Sequence, residues 1–330
     1  AAGVPEEIFE AIEGVLTSEH ARLLLLGNPT SIGGTFYNAF RMPGWKTIAI
    51  SAFDTPNFVA FGITQEDIAN DTWEKKITGE LPHPKLITPE WVADKYQRWG
   101  PTSPAYQARA LGQFPTEGED TLIPLAWIEA AMARWEEVPE GEPVEMGVDV
   151  ARFGSDKTVI ATRRGRKVLP LKIFSKLDTM ETVGHVIAEQ REVKASTIKV
   201  DAIGIGSGVV DRLKEQKYPV TGINVAEAAT DPEKFTNLRS ELWWNLRERL
   251  DPNPKINPEP IALPQDDELL ADLSGIKYKI DSRGRIQVES KEDMKKRLGR
   301  SPDYGDAVVL AFAPVKTIDP GLAGLLRGAR

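Results

Sequence analysis

The sequence predicts an α/β protein whose later half is built on a mixed sheet, and three observations carry that prediction. The first is the stretch from Val144 to Gly165, where two apolar, β-branched runs flank Phe153-Gly154-Ser155-Asp156, the pattern of a β-hairpin. The second is the succession of segments after this hairpin: a third strand over 167–174, a helix over 179–194 and a returning strand over 197–201. Antiparallel and parallel neighbours then share one sheet. The third is a pair of short, continuous apolar runs upstream, over 22–27 and 46–53, of the kind that forms buried parallel strands.

Composition bounds the chemistry. A chain of 330 residues with 41% hydrophobic and 27% charged residues can bury sizeable cores and reads as soluble and globular. No apolar run is long enough to span a bilayer and no signal peptide is recognisable. With no cysteine and only His20, His83 and His185, disulfides and thiolate or His-rich metal sites are excluded, so any divalent metal is expected on oxygen ligands. The net charge of −8 argues against a protein that coats nucleic acid, although a metal site itself contributes acids. Ala1-Ala2-Gly3-Val4-Pro5 has no initiator methionine and reads as the start of a fragment of a longer protein.

Taken in order, residues 5–17 read as a helix with Pro at its start and acids in its first turn. The run 22–27 ends in Gly27-Asn28-Pro29-Thr30, a turn at a strand end where α/β proteins place ligand contacts. Helices are expected near 64–71, 88–98, 102–112 and 124–138. The Pro- and Gly-rich stretch Pro139-Glu140-Gly141-Glu142-Pro143 closes a boundary region within 115–143. Gly204 to Gly208 opens a helix reaching Lys217, a strand covers 220–225, and 232–250 is an amphipathic helix whose stripe is Phe235, Leu238, Leu242, Trp243, Leu246 and Leu250. A long hairpin over 276–289 turns at Asp281-Ser282-Arg283-Gly284. The strand and helix order over 144–201 is the first half of an RNase H-like layout.

The acidic residues carry the function. Asp149 and Asp201 end two strands that this layout makes neighbours, and Asp306 opens a helix with Asp303 three residues before it. Converging carboxylates repel and retain protons unless cations hold them, and two Mg²⁺ or Mn²⁺ ions would relieve that repulsion and support phosphodiester hydrolysis. Asp156, across the turn from Asp149, is expected to assist. The basic stretch containing Lys291, Lys295, Lys296, Arg297 and Arg300 precedes the third acid and is expected to hold a DNA backbone through its phosphates. The Gly204–Gly208 loop allows either a phosphate cradle or close strand–helix packing.

These motifs, in this order, resemble the large subunit of the terminases that package DNA in tailed bacteriophages. The matching residues are Gly147-Val148-Asp149-Val150-Ala151 with Gly154-Ser155-Asp156-Lys157-Thr158, then Val200-Asp201 with Gly204 and Gly206, then Ser301-Pro302-Asp303-Tyr304-Gly305-Asp306-Ala307. Upstream, Leu24 to Thr30 is similar to the motif coupling ATP hydrolysis to movement, with Gly27, Asn28, Pro29 and Thr30 at its end, and Ser103 to Pro115 resembles the stretch joining ATPase to nuclease. The resemblance implies the C-terminal part of a P-loop-type ATPase over 1–115, a linker with a helix over 116–143, an RNase H-like (resolvase-like) nuclease over 144–316, and a tail over 317–330. No Gly-x-x-x-x-Gly-Lys-Ser/Thr loop is present, so this chain is expected not to hydrolyse ATP, although its parent would. The implied partners are double-stranded DNA, the terminase small subunit and the portal protein, with no membrane, in the cytoplasm of an infected bacterial host. Two other classes compete. One is an actin-like or sugar-kinase-type ATPase, in which the Asp149 hairpin and the Asp201–Gly208 segment would be phosphate loops. The other is a catalytically inactive DNA-binding or assembly module.

Overall fold

The computed structural model describes residues 4, 6–18, 20–30, 34–115, 120–151 and 156–314. Residues 153–155 of the expected hairpin turn, 116–119 of the expected linker and the expected tail over 317–330 lie outside the described residues. The first part is helical: α1 (Glu6–Glu13), α2 (Gly34–Ala39), α3 (Pro56–Val59), α4 (Gln65–Ala69), α5 (Pro89–Trp99), α6 (Pro104–Arg109) and α7 (Leu125–Ala133). The side chains of Thr64, Thr88 and Ser103 accept backbone N–H groups at the starts of α4, α5 and α6, and Pro occupies the first turn of the last two, as helix starts require.

The two upstream strands are not there. Among the described residues, 22–27 and 46–50 belong to no strand, and Leu24, Leu26, Ile48 and Ile50 are exposed. Ala52–Asp54 is a single 3₁₀ turn. An apolar run becomes a strand only when another strand satisfies its backbone, and no described strand lies beside either run.

From residue 144 the elements keep the expected order: β1 (Val144–Asp149), β2 (Thr158–Arg164), β3 (Lys167–Val168), β4 (Lys172–Phe174), α8 (Thr179–Val193), β5 (Thr197–Asp201), α9 (Gly206–Glu215), β6 (Val220–Ile223) and α10 (Leu238–Leu250). Then come α11 (Asp267–Gly275), β7 (Tyr278–Ile280), β8 (Ile286–Val288), α12 (Lys291–Leu298) and α13 (Asp303–Ala311). The expected strand over 167–174 is two, because Pro170 has no N–H to give to the ladder. The expected helix from 232 starts only at Leu238, where the Asn237 side chain caps it; Phe235 is buried ahead of it. The 278–288 hairpin is as expected, whereas α11 answers to no sequence expectation.

The main sheet runs β3-β2-β1-β5-β6, with β4 also on β2. β1 is antiparallel to β2 and parallel to β5, and β5 is parallel to β6. Side chains alternate across the sheet. Val144, Met146, Val148, Ile198 and Val200 face one apolar cluster with Val186, Val209 and Leu213 of α8 and α9. The positions between them, Glu145, Gly147, Asp149, Lys199 and Asp201, therefore face the other side, where α13 lies. That side belongs to a larger cluster extending from Ala52 through α5, α6, α7, α10 and α11 to Ala313.

Gly147 lets α13 lie directly on β1, because a β-carbon there would collide with the carbonyl oxygen of Ala307 and the amide nitrogen of Ala311. The far end of α13 is held by cations. The Ala311 carbonyl accepts from Lys199 Nζ at 3.0 Å and Arg163 Nε at 2.9 Å, and Glu145 pairs with both side chains. Positive charge at a helix C-terminus is favourable. The opposite end of α13, carrying Asp303 and Asp306, is thereby aimed at the ends of β1 and β5.

Candidate metal-binding active site

The ends of two strands and the start of one helix meet at this point. The parallel register pairs Val148 with Val200, which puts Asp149 and Asp201 side by side one step further on. Asp149 and Asp303 are 2% and 3% exposed and Asp306 is 7% exposed, while Asp201 is half-buried. The cluster is not closed by carboxylates alone. Lys291, the first residue of α12, inserts its ammonium among them: Nζ lies 2.8 Å from Asp149 Oδ2, 3.0 Å from Asp303 Oδ1 and 3.6 Å from Asp306 Oδ2. One turn further along α12, Lys295 pairs with Asp156 at 2.6 Å.

Asp306, Asp303 and Asp201 are also oriented from behind. Asp306 Oδ1 accepts from Arg239 Nη1 at 2.7 Å and Trp243 Nε1 at 3.0 Å, leaving Oδ2 toward the cluster. Asp303 Oδ2 accepts from the Lys157 amide at 2.7 Å, while its buried Oδ1 has, among the described residues, only the ionic contact with Lys291. Asp201 Oδ1 accepts from the Ile203 amide at 3.0 Å.

Burial sets the protonation. It pushes the Asp149 carboxyl well above the usual carboxylate range; Lys291 opposes this, and the neighbouring Asp306 and Asp303 add to it. Asp201 is raised for the same first reason, with the Ile203 N–H opposing. Burial also works against the Lys291 charge, but Asp149, Asp306 and Asp303 outweigh it and hold the ammonium protonated well above its ordinary range. The site is a cation trap with its own cation inside.

The structure thus brings together Asp149, Asp201, Asp303 and Asp306, with Asp156 at their margin. It disperses the five basic residues. Lys291 and Lys295 turn onto acids, Arg297 pairs with Glu289 at 2.6 Å, and Arg300 turns inward onto Asp272. Lys296 alone of the five is largely open, its side chain 81% exposed, with Asp293 4.0 Å away. Gly206 is accounted for by packing, since a β-carbon there would collide with the Asp201 carbonyl. Gly27, Asn28, Pro29 and Thr30 take no part in the cluster; Thr30 is buried and its hydroxyl bonds the Glu129 carboxyl of α7.

Sequence reasoning missed Arg239, Trp243 and Asp272. The first two are four apart on a helix and so share a face. Asp272 is a lone acid in the apolar run Leu269-Leu270-Ala271-Asp272-Leu273, and a fully buried carboxylate is rare unless paired.

Comparison with known proteins points the same way. The probable terminase large subunit of Enterobacteria phage P7 is 26% identical over 328 residues, covering 94% of this chain and 61% of that protein. The chain is homologous to a phage terminase large subunit. It spans about three fifths of that relative's length, the 61% just given. The nuclease domain of the large terminase subunit gp2 of bacterial virus Sf6 superposes with a TM-score of 0.52 at 21% identity, over 59% of this chain and 100% of that domain. A mutant of the same Sf6 domain solved with calcium gives a TM-score of 0.53 at 20% identity, with the same coverage, and another was solved with manganese. The chain therefore carries the RNase H-like fold expected from its strand order. No protein-family profile matches the chain.

Proposed function

We propose that this terminase homologue cuts double-stranded DNA by two-metal phosphodiester hydrolysis during phage genome packaging. The observation that carries the reading is the convergence of three buried aspartates, Asp149, Asp303 and Asp306, on one ammonium, with the half-buried Asp201 beside Asp149 on the neighbouring strand. Among the described residues no three acidic or histidine side chains are set to hold an ion as they stand, and Lys291 Nζ lies between Asp149, Asp303 and Asp306. The donors nevertheless fit a hard divalent cation: all are carboxylate oxygens, and buried Asp303 Oδ1 has, among the described residues, only the ionic contact with Lys291. Asp149, Asp201 and Asp306 would hold Mg²⁺ or Mn²⁺, with Asp303 and Asp156 assisting. When bound, such ions supply water activation and charge stabilisation at the leaving oxygen.

The chain's own residues do the rest. Arg239 and Trp243 fix the direction of Asp306, and the shared sheet face fixes Asp149 beside Asp201. Lys296 contacts phosphate as it stands, and Lys291, Lys295, Arg297 and Arg300 join it only where their carboxylate partners are otherwise neutralised. Phosphate contacts of this kind contribute affinity rather than sequence selection. The reading extends to a division into ATPase-derived part, linker and nuclease at 1–115, 116–143 and 144–316. It also includes the small subunit and portal as partners, ATP use by the full-length parent, and action in the cytoplasm of the infected host.

The test is plasmid nicking with Mg²⁺ or Mn²⁺, with and without EDTA, on wild type and Asp149→Asn. Wild type is expected to nick only with metal, and the folded variant to be inactive. Nicking by Asp149→Asn at the wild-type rate would sink the assignment.

A further inference from the structure

The helix that presents Asp303 and Asp306 has no cap of its own. Its N-cap position is Pro302, which offers no side-chain acceptor, so the first N–H groups of α13 must find partners elsewhere. They find Asp272, on a different helix. Its Oδ2 accepts from the Tyr304 amide at 2.9 Å and the Gly305 amide at 3.2 Å, and its Oδ1 accepts from Arg300. Asp272 is 0% exposed and sits among Leu269, Leu270 and Leu273 of α11, all buried in the core. A carboxylate in such surroundings is costly unless its hydrogen bonds are made.

The geometry ties this cap to the metal ligands. Tyr304 and Gly305 are the two residues between Asp303 and Asp306, so fixing their peptide groups fixes where both carboxylates start. Gly305 is pressed close as well, because a β-carbon there would stand 2.7 Å from the Trp243 ring and 3.4 Å from Asp272 Cβ. Behind Asp272, Arg300 also reaches Glu268 at 3.7 Å, and Glu268 gathers Lys95 at 3.2 Å and Arg98 at 3.5 Å from α5. The cap is thus braced by α5 as well as by α11.

We infer that Asp272 is a positioning residue for the metal site, capping the Asp303–Asp306 helix from α11 and so setting the direction of both carboxylates. It touches neither substrate nor ion. The inference rests on the metal-site reading above, and residues that orient metal ligands from behind typically change metal affinity about 10- to 100-fold when removed.

The test is Mn²⁺ binding to the full chain, measured by electron paramagnetic resonance or calorimetry, with melting curves alongside. Asp272→Asn keeps an acceptor for Tyr304 and Gly305 and is expected to bind within about threefold of wild type, well inside the loss expected when such a group is removed. Asp272→Ala, melting cooperatively and folded at the assay temperature, is expected to bind about 10- to 100-fold more weakly, with faster amide exchange at Tyr304 and Gly305. If Asp272→Ala does not fold, Asp272→Ser, whose hydroxyl falls short of both amides, replaces it in the same comparison. Wild-type affinity in the folded Ala or Ser variant overturns the inference. So does equal weakening in Asp272→Asn, which would make the charge and not the cap responsible. A wild-type chain that binds no Mn²⁺ at all overturns the metal reading itself, a different result from either.

Discussion

Replacing Lys291 by Met keeps the aliphatic stem and removes the charge that holds three carboxylates together. Lys291 Nζ lies 2.8, 3.0 and 3.6 Å from Asp149, Asp303 and Asp306. At the effective dielectric of protein sites, one unit pair at such range is worth about 4 kcal/mol before desolvation. Deleting one partner of a buried pair costs about 3–5 kcal/mol, because the remaining charge is left uncompensated. With an unfolding entropy of about 2 cal/mol/K per residue, that loss lowers the melting temperature of a chain this size by about 4–7 °C. Divalent ions should then do more for the variant than for wild type, since no ammonium has to leave. At pH 8 we expect Lys291→Met to melt lower than wild type without metal, to recover most of the difference in Mn²⁺, and to bind Mn²⁺ at least about tenfold more tightly, a change of about 1.4 kcal/mol. Calorimetric titration and paired melting curves measure both. A metal-free melting point within about 1 °C of wild type, together with an unchanged Mn²⁺ titration, would refute the view that Lys291 stands in for the cation.

Two further outcomes are expected from the same geometry. Burial raises the carboxyls of Asp149 and Asp201, and that of Asp272 to about 7, above the ordinary 3.8. The folded state therefore keeps protons that the unfolded chain has lost, so stability is greatest below pH 4 on this account and declines as pH rises toward and through 7. The metal-free melting temperature should fall between pH 5 and 8, and saturating Mn²⁺ should flatten the slope; a rise over that range would contradict it. Gly147→Ala forces a β-carbon into the backbone of α13 and is expected to cost at least the upper part of the usual overpacking range, about 3 kcal/mol, and to weaken Mn²⁺ binding. Gly184→Ala in α8, where a β-carbon meets nothing within 4 Å, is the matched control and should be neutral or stabilising by up to about 1 kcal/mol.

The sheet was legible because its signals are local. Alternation along β1 and β2, the Gly-containing break between them and the helix before β5 all lie within short windows, and Asp149 and Asp201 show as acids at strand ends. The runs at 22–27 and 46–53 carried equally strong apolar signals and form no strands, because the signal records burial potential and not the presence of a neighbour. The cation at the site was hidden for a different reason. Lys291 lies 142 residues from Asp149 and Arg239 lies 67 from Asp306, so their pairing depends on how α10 and α12 fold back over the sheet edge. Read by adjacency, the basic stretch at 291–300 looks like a DNA-facing strip. Folded, α12 directs Lys291 and Lys295 to acids, Arg297 to Glu289, and leaves only Lys296 outward. Asp272 was legible in principle, as the one charge in the apolar run Leu269-Leu270-Ala271-Asp272-Leu273, but its purpose depends on Pro302 being unable to cap.

The alternation along β1 also decides which kinds of sequence change the site can survive. Val144, Met146 and Val148 face the α8–α9 side, and apolar exchanges there leave the carboxylate edge where it is. Insertion or deletion of one residue before Asp149 is another matter. It would turn Asp149 into the apolar cluster around Val186 and Val209 and present a valine (Val148 after an insertion, Val150 after a deletion) to Lys291, and it would move Gly147 out from under Ala307. A change of two residues would restore the face but slide Asp149 about 6.6 Å along the strand, past its alignment with Asp201. Drift in length is therefore confined to the loops beyond the strand ends, while β1 itself can vary in composition but not in count.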